Sequence, residues 1–293
     1  MKLFLAAIAC VAGIACHPAA ATDIQWPKVE QALGKKGAAQ PGGVYKFGLP
    51  RSDLKVTLDG VAIKPALALG SWLAFAPTAD GAMFMGDLVL TESEIAPVMK
   101  HLVENGIEIS AVHNHLLRAS PPVVYMHVAG HGDPVKQARV LHDAIALSGT
   151  PLTAAAPTST PPPIDLDVAA IESALGAKGT NNGGVYQFSI PRAEAIHVHG
   201  MAVPASLGTS TAINFQPTGT GKAAITGDFV MIGTEVKPVM QALVAHGIEV
   251  TALHTHMIDD SPTLYFMHFW ADDDAGKLAK GLHTALGSMN VKR

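Results

Sequence analysis

"MGDLVLTESEIAPVMKHLVENGIEISAVHNHL" (85–116) and "TGDFVMIGTEVKPVMQALVAHGIEVTALHTHM" (226–257) align without a gap, 141 residues apart. This match decides the fold, because the chain uses one unit twice. Each copy reads as strand, helix, strand. "GDLVL" and "GDFVM" are short apolar runs that follow a Gly. In "SEIAPVMKHLVENG" the apolar residues Ile95, Val98, Met99, Leu102 and Val103 recur at helical spacing up to Gly106. Glu94, and Glu235 in the second copy, fall in the first helical turn, where negative charge suits the positive end of a helix. A strand from Ile107 to His115 follows. Its alternation puts Ile107, Ile109 and Ala111 on the face of His113 and His115. The same spacing puts Ile248, Val250 and Ala252 with His254 and His256. The GD pairs at Asp87 and Asp228 read as turn formers.

Outward from this segment the repeat continues. "GGVYKFGLPR" (42–51) answers "GGVYQFSIPR" (183–192), and "YMHV" (125–128) answers "FMHF" (266–269). The glycine pairs precede strands, so they read as turns rather than phosphate loops. "WPKVEQALGKKG" and "VAAIESALGAKG" read as short helices stopped by Gly. At "DPVKQARVLHDAIAL" a last helix opens, with Asp133 as N-cap and Pro134 in the first turn. Between the units, "TPLTAAAPTSTPPPID" (150–165) has no periodicity and reads as an extended Pro-rich spacer. The expected fold is α+β. It comprises two tandem repeats (22–149 and 166–293), each a mostly antiparallel sheet with packed helices that ends helix–strand–strand–helix.

The composition restricts function. A formal net charge of −4 offers no broad basic face for nucleic acid. After the leader, no apolar run reaches the roughly 18–20 residues that span a bilayer. Residues 1–21 have the build of a secretory signal peptide cleaved after Ala21, which predicts a periplasmic or secreted protein. The second choice is a lipoprotein anchored through Cys16. Both cysteines, Cys10 and Cys16, lie in this leader. Cleavage after Ala21 thus leaves neither a thiol nucleophile nor a thiolate ligand and directs metal chemistry to His, Asp, Glu and Met. No nucleophile elbow, phosphate loop or dinucleotide fingerprint appears. The letters "HNH" at 113–115 do not make a nuclease, since the second copy reads His-Thr-His.

The combination "PVM.ALV..GIEVTALHTHM" followed by "LYFMHFWADDDAGKLAKGL", with "GGVY.F..PR" at the start of each unit, resembles the LppY/LpqO family of exported bacterial proteins. The resemblance extends over residues 23–290. It implies export but little about activity, because that family is a domain of unknown function. The first repeat departs from the pattern after its histidine pair, with "LLRASPPVVYMHVAGHGD" (116–133) against "MIDDSPTLYFMHFWADDD" (257–274).

The chemistry lies in His113/His115 and His254/His256. Residues i and i+2 on a strand share a face about 6.5–7 Å apart, a gap that two imidazoles can close around one metal. Further ligands present in both repeats are His127/His268, His142/His283, Glu94/Glu235 and the soft Met126/Met267. Asp259 and Asp260 occur only in the second. Inward-facing histidines must be neutral, hydrogen-bonded or metal-bound. His142 and His283 read as core residues beside a helical stripe. Arg51 and Arg192 could hold an anion or a carboxylate, the plainer reading being a surface ion pair. The leading expectation is a divalent-metal protein, Zn²⁺ first and Cu²⁺ second, that uses His113, His115, His127, His254, His256 and His268. A hydrolytic version would take Glu94 or Glu235 as general base for a metal-bound water. Against it stands a non-catalytic envelope module that binds a small molecule, peptide or glycan between the repeats. In that version the histidines are structural.

Overall fold

The computed structural model describes residues 23–152 and 161–292. The segment read as a signal peptide, the alternative anchor at Cys16 and the middle of the expected spacer lie outside the described residues. The first repeat opens with α1 (Trp26–Leu33), β1 (Ala38–Ala39), β2 (Tyr45–Pro50), β3 (Thr57–Leu58), β4 (Val61–Ala62) and α2 (Pro65–Ala68). It continues through β5 (Gly70–Thr78), β6 (Gly81–Leu90), α3 (Glu92–Glu104), β7 (Glu108–His113), β8 (Val124–Gly132) and α4 (Pro134–Ile145). The second repeat opens with α5 (Val168–Leu175), β9 (Thr180–Asn182), β10 (Val185–Pro191), β11 (Ile196–Val198) and β12 (Met201–Val203). Then come β13 (Ser210–Gly219), β14 (Lys222–Ile232), α6 (Gly233–Ala245), β15 (Glu249–His254), β16 (Asp260–Ser261), β17 (Leu264–Asp274) and α7 (Ala275–Leu286).

Each repeat builds a six-stranded antiparallel sheet, ordered β1-β2-β5-β6-β8-β7 in the first and β9-β10-β13-β14-β17-β15 in the second. Helices cover one face of each sheet. In the first repeat Val29, Leu33, Val98, Leu102, Leu141 and Ile145 pack there against Phe47, Phe75, Phe84 and Met126. In the second, Ile171, Val239, Leu243, Leu278 and Leu282 pack on Phe188, Phe215, Phe229 and Phe269. The opposite faces turn towards each other. One shared core joins Ala74, Met83 and Met85 of the first repeat to Ile196, Val198, Leu207 and Phe266 of the second. A second joins Val56, Leu58, Leu67 and Tyr125 to Val185, Ala224 and Trp270. The strands are therefore buried on both faces. This explains why all ten residues of β6 are buried, including Asp87, where a one-sided sheet would alternate.

Each repeat also sends an arm across the other. Residues 56–69 (β3, β4 and α2) lie on the second sheet, where Lys64 N donates to Gln216 Oε1 at 2.9 Å and Gln216 Nε2 donates to the Ala62 carbonyl at 2.8 Å. Gln187 Nε2 donates to the Ala66 carbonyl at 2.7 Å. The equivalent arm of the second repeat, β11 and β12, closes over the first sheet. There Gly208 leaves room for the Trp72 ring, which a Cβ would meet at 2.8 Å.

Arg51 and Arg192 are buried rather than on the surface. Arg192 Nη1 and Nη2 grip Glu235 at 2.6 and 3.0 Å, and Nη1 also donates to the Val230 carbonyl at 2.7 Å. Arg51 holds Glu94 at 2.8 and 3.1 Å, and the Val89 carbonyl at 2.6 Å. Each fork ties the start of the helix after the central strand (α3 or α6) to the end of the strand before the arm. Each Glu also accepts the backbone N–H at its own helix start, Thr91 at 2.8 Å and Ile232 at 2.9 Å, which is the reciprocal half of a capping box.

The histidine strands carry a β-bulge. The register of β7 on β8 shifts between Ile109 and Ala111, and that of β15 on β17 between Val250 and Ala252. The extra residue reverses the alternation. Ile109 stands opposite Val128 and packs on the helix side, whereas Ala111 stands opposite His127 and His113 opposite Tyr125. The apolar residues before the bulge and the histidines after it thus belong to opposite faces. This corrects the single shared face read from the sequence alternation. The histidines point at the other repeat.

Candidate metal centre

Six histidines meet where the two sheets face each other. Rings from opposite repeats meet in pairs: His113 with His254 at 3.5 Å between centroids and tilted by 42°, His115 stacked on His268 at 3.5 Å, and His127 stacked on His256 at 3.6 Å. Tyr125 and Phe266 close the ends, on His115 at 3.5 Å and His256 at 3.6 Å. Within a repeat, His113 is 4.7 Å from His115 and 4.9 Å from His127, and the second repeat reproduces both spacings, 4.7 and 4.9 Å around His254. The result is two triangles of imidazoles, one over the other, related by an approximate two-fold.

The nitrogens converge. One nitrogen each from His113, His115, His254, His256 and His268 lie within 4.8 Å of one another. Opposite ligands on a six-coordinate ion with bonds of about 2.1 Å stand about 4.2 Å apart, so little movement would let these five share one ion. His113 Nε2 and His115 Nε2 share a hydrogen bond at 2.8 Å, a separation also close to that of adjacent ligands on one metal. A second group, Asp87, His115 and His127, meets the same 4.8 Å limit. In the other repeat Asp228 lies 3.8 Å from His268 Nε2 and 4.0 Å from His256 Nδ1.

The GD pairs supply more than an acid. His268 Nδ1 lies 2.9 Å from the Gly227 carbonyl, which can only accept, so Nδ1 carries the proton and the Nε2 lone pair is free. His127 has the matching contact to the Gly86 backbone. Metal-binding histidines commonly have this second hydrogen bond, which fixes ring and tautomer. Glycine is required at both positions: a Cβ on Gly86 would sit 2.7 Å from the Trp72 carbonyl, and one on Gly227 would run into the Ala212 carbonyl. Asp87 and Asp228 therefore lie inside β6 and β14, not in turns, and Asp87 pairs across the sheet with His127. The turn reading missed them. A GD in both repeats was the available signal, but the opposing histidine depends on strand register.

These groups are poorly satisfied within the protein. His113 Nδ1, the Nε2 atoms of His127, His254, His256 and His268, and one oxygen each of Asp87 and Asp228 are buried without a hydrogen-bond partner. Burial lowers the imidazole pKa values, His113 to about 3 with the nearby His254 adding to the effect, and His254 to about 4. Burial and the neighbouring rings hold His115, His127, His256 and His268 well below the usual histidine value. Burial raises Asp87 and Asp228 well above the usual carboxylate range. Lys46 partly offsets this at Asp87, while Asp87 adds to it at Asp228. Uncharged imidazoles with unpartnered lone pairs, and buried acids that would ionise only beside a positive charge, are what a buried cation would satisfy.

The remaining candidates lie elsewhere. Glu94 and Glu235 are held by the buried arginines and the helix starts, and belong to neither group of converging ligands. His142 sits half-buried on α4 beside Asp143, and His283 is exposed on α7, so neither is the core residue that its helical stripe implied. Met126 and Met267 pack on the helix side of the sheets. Asp260 caps the Leu264 N–H at 2.7 Å. Among the described residues no helix is long and apolar enough to cross a membrane.

Comparison with known proteins adds a family but no activity. No curated protein matches the chain. One solved structure, of a trimeric bacterial microcompartment shell protein PduB, aligns over 86% of this chain and 89% of its own, at 14% identity and a TM-score of 0.22, too low to indicate a shared fold. The family described as Domain of Unknown Function (DUF1259) matches at residues 27–147 and again at 169–288. The chain therefore belongs to that family, with two tandem copies of its domain.

Proposed function

We propose that this protein binds a divalent transition-metal ion in a centre shared by its two repeats. The ligands come from His113, His115, His127, His254, His256 and His268, and Asp87 and Asp228 supply counter-charge or bridging oxygens. One observation carries the reading: imidazole nitrogens from both repeats converge, five of the six rings keep a buried nitrogen without a protein partner, and two of those rings have their tautomer set by a backbone carbonyl. Six histidines packed only for structure would be expected to find acceptors or donors, since an unpaired buried polar group costs about 1–3 kcal/mol.

Imidazole suits Zn²⁺, Cu²⁺, Ni²⁺ and Fe. Zn²⁺ remains the first choice and Cu²⁺ the second. Zinc would take four of the nitrogens, and the surplus would also serve a six-coordinate ion. A bound ion of this kind supplies charge and Lewis acidity. The protein's own groups hold it, orient the rings and exclude water behind Tyr125 and Phe266. The engagement of Glu94 and Glu235 with arginine leaves no free base of the kind a hydrolytic role would assign to them. Kinship with the exported LppY/LpqO proteins, and export through the leader, are retained as part of this reading.

The test is metal analysis and titration of tag-free protein. Purified protein should carry, or take up with submicromolar affinity, a stoichiometric divalent ion that raises its melting temperature. His254→Ala/His256→Ala should abolish this. Failure of the wild type to bind any of these four metals would overturn the proposal.

A further inference from the structure

The approximate two-fold makes two rims where an arm crosses the opposite sheet, and they differ. At one rim lies a cleft of about 260 Å³ lined by Met83, Met85, Met201 and Met257, with Glu108 and His199 at its mouth. A smaller void lies behind it, lined by Met85 and Met257 but also by His127 and His256 of the metal centre. Two methionines thus stand between the cleft and the histidines.

At the other rim the equivalent positions are Ala224, Thr226, Val61 and Leu116, with no thioether. There Trp270, buried at 4%, occupies the position that Ala129 holds beside the cleft. Its Nε1 donates to Asp59 Oδ2 at 3.1 Å. Arg118 then clamps Asp59 at 2.9 Å and Glu249 at 2.7 Å. At the open rim His199 replaces Asp59, and it sits loosely, 3.9 Å from Glu108 and 3.7 Å from Asp259.

We propose that the open cleft is a thioether site for monovalent copper and the mouth through which cations reach the histidine centre. It deepens the reading of that centre as a metal site and rests on it for the destination. Thioether sulfur is a soft ligand that selects Cu(I) over harder divalent ions, and the unbranched methionine side chain can reshape around an ion. The polar side chains that line the cleft, Glu108, His131 and His199, are themselves metal-ligating types.

The experiment loads the full chain with Zn²⁺ to occupy the histidines, adds Cu(I) under anaerobic conditions, and reads the copper by X-ray absorption and by competition with a chromophoric Cu(I) chelator. Copper should show sulfur scattering. Met83→Leu/Met85→Leu/Met201→Leu/Met257→Leu preserves apolar volume. It should remove that scattering and weaken Cu(I) binding at least tenfold, with Zn²⁺ stoichiometry unchanged. Copper ligated only by nitrogen, or unchanged Cu(I) affinity in the fourfold variant, overturns the proposal. Zinc that fails to load while sulfur-ligated copper still binds would overturn the histidine centre and leave the cleft standing, so the two failures are distinguishable.

Discussion

The two rims of the repeat interface are made from equivalent positions and have opposite characters. Around Met83 and Met257 the interface opens into a methionine-lined cleft, whereas around Trp270 and Arg118 it is filled by an indole and locked by ion pairs. Between them the six histidines and two aspartates keep their arrangement in both repeats. Duplication has thus produced a symmetric centre with asymmetric access.

The largest effects should come from the filled rim and the buried forks. Trp270→Ala removes a buried indole and should cost about 3–5 kcal/mol in chemical denaturation, while opening a second route to the histidines. Protection of the centre from small chelators should fall, so faster metal stripping is the expected kinetic result. Glu235→Gln leaves the buried Arg192 charge without its main partner and should cost about 3–5 kcal/mol. Its metal content should not change, which separates a structural Glu235 from a metal ligand. A loss of metal in this variant would place Glu235 in the centre after all.

The pH dependence of metal-free protein should be intermediate in size. Unfolded histidines take up protons near their ordinary value of 6.5, but the folded rings resist, His113 down to about 3 and His254 to about 4. The unfolded state then binds more protons, so the stability contributed by neutral rings is full above about 6.5 and is lost as pH falls towards 4. Asp87 and Asp228 act in the other direction. With folded values raised above 3.8, they retain protons that the unfolded chain releases, so their contribution is full at low pH and is lost as pH rises through the folded values. A metal ion takes only deprotonated ligands, so loading should remove the loss of melting temperature that the acids cause at high pH and steepen the loss on acidification; an unchanged profile on loading would count against it. The smallest effect belongs to Arg118→Ala. Its ion pairs are half-exposed and screened by solvent, so the denaturation midpoint should barely move, with the rim loosened but not emptied.

Much of this was legible in the sequence, and for identifiable reasons. The gapless match of 85–116 with 226–257 carried the duplication, the helices α3 and α6 and the histidine strands. A helical stripe and a repeat are local properties. The centre was legible only in part. His-x-His announced chelation, and His127 and His268 could be nominated, but the sequence does not show that each triangle completes the other across the interface. Asp87 was hidden because its role depends on β6–β8 register. The bulge at Ser110, whose hydroxyl donates to the His256 carbonyl of the other repeat, turned the histidines to the opposite face from the one that strict alternation assigns. Arg51 and Arg192 were misplaced on the surface because burial of a charged group requires partners distant in sequence, here 43 residues on.

Whether the centre is shared is tested most directly by comparing His113→Ala/His115→Ala with His254→Ala/His256→Ala in a Co²⁺ or Zn²⁺ titration of the full chain. If the six histidines form one composite site, each double variant should bind far more weakly, with no independent tight site left, although each keeps one repeat's ligands intact. A binding stoichiometry that merely halves in each variant, with unchanged affinity, would show two independent sites and contradict the account.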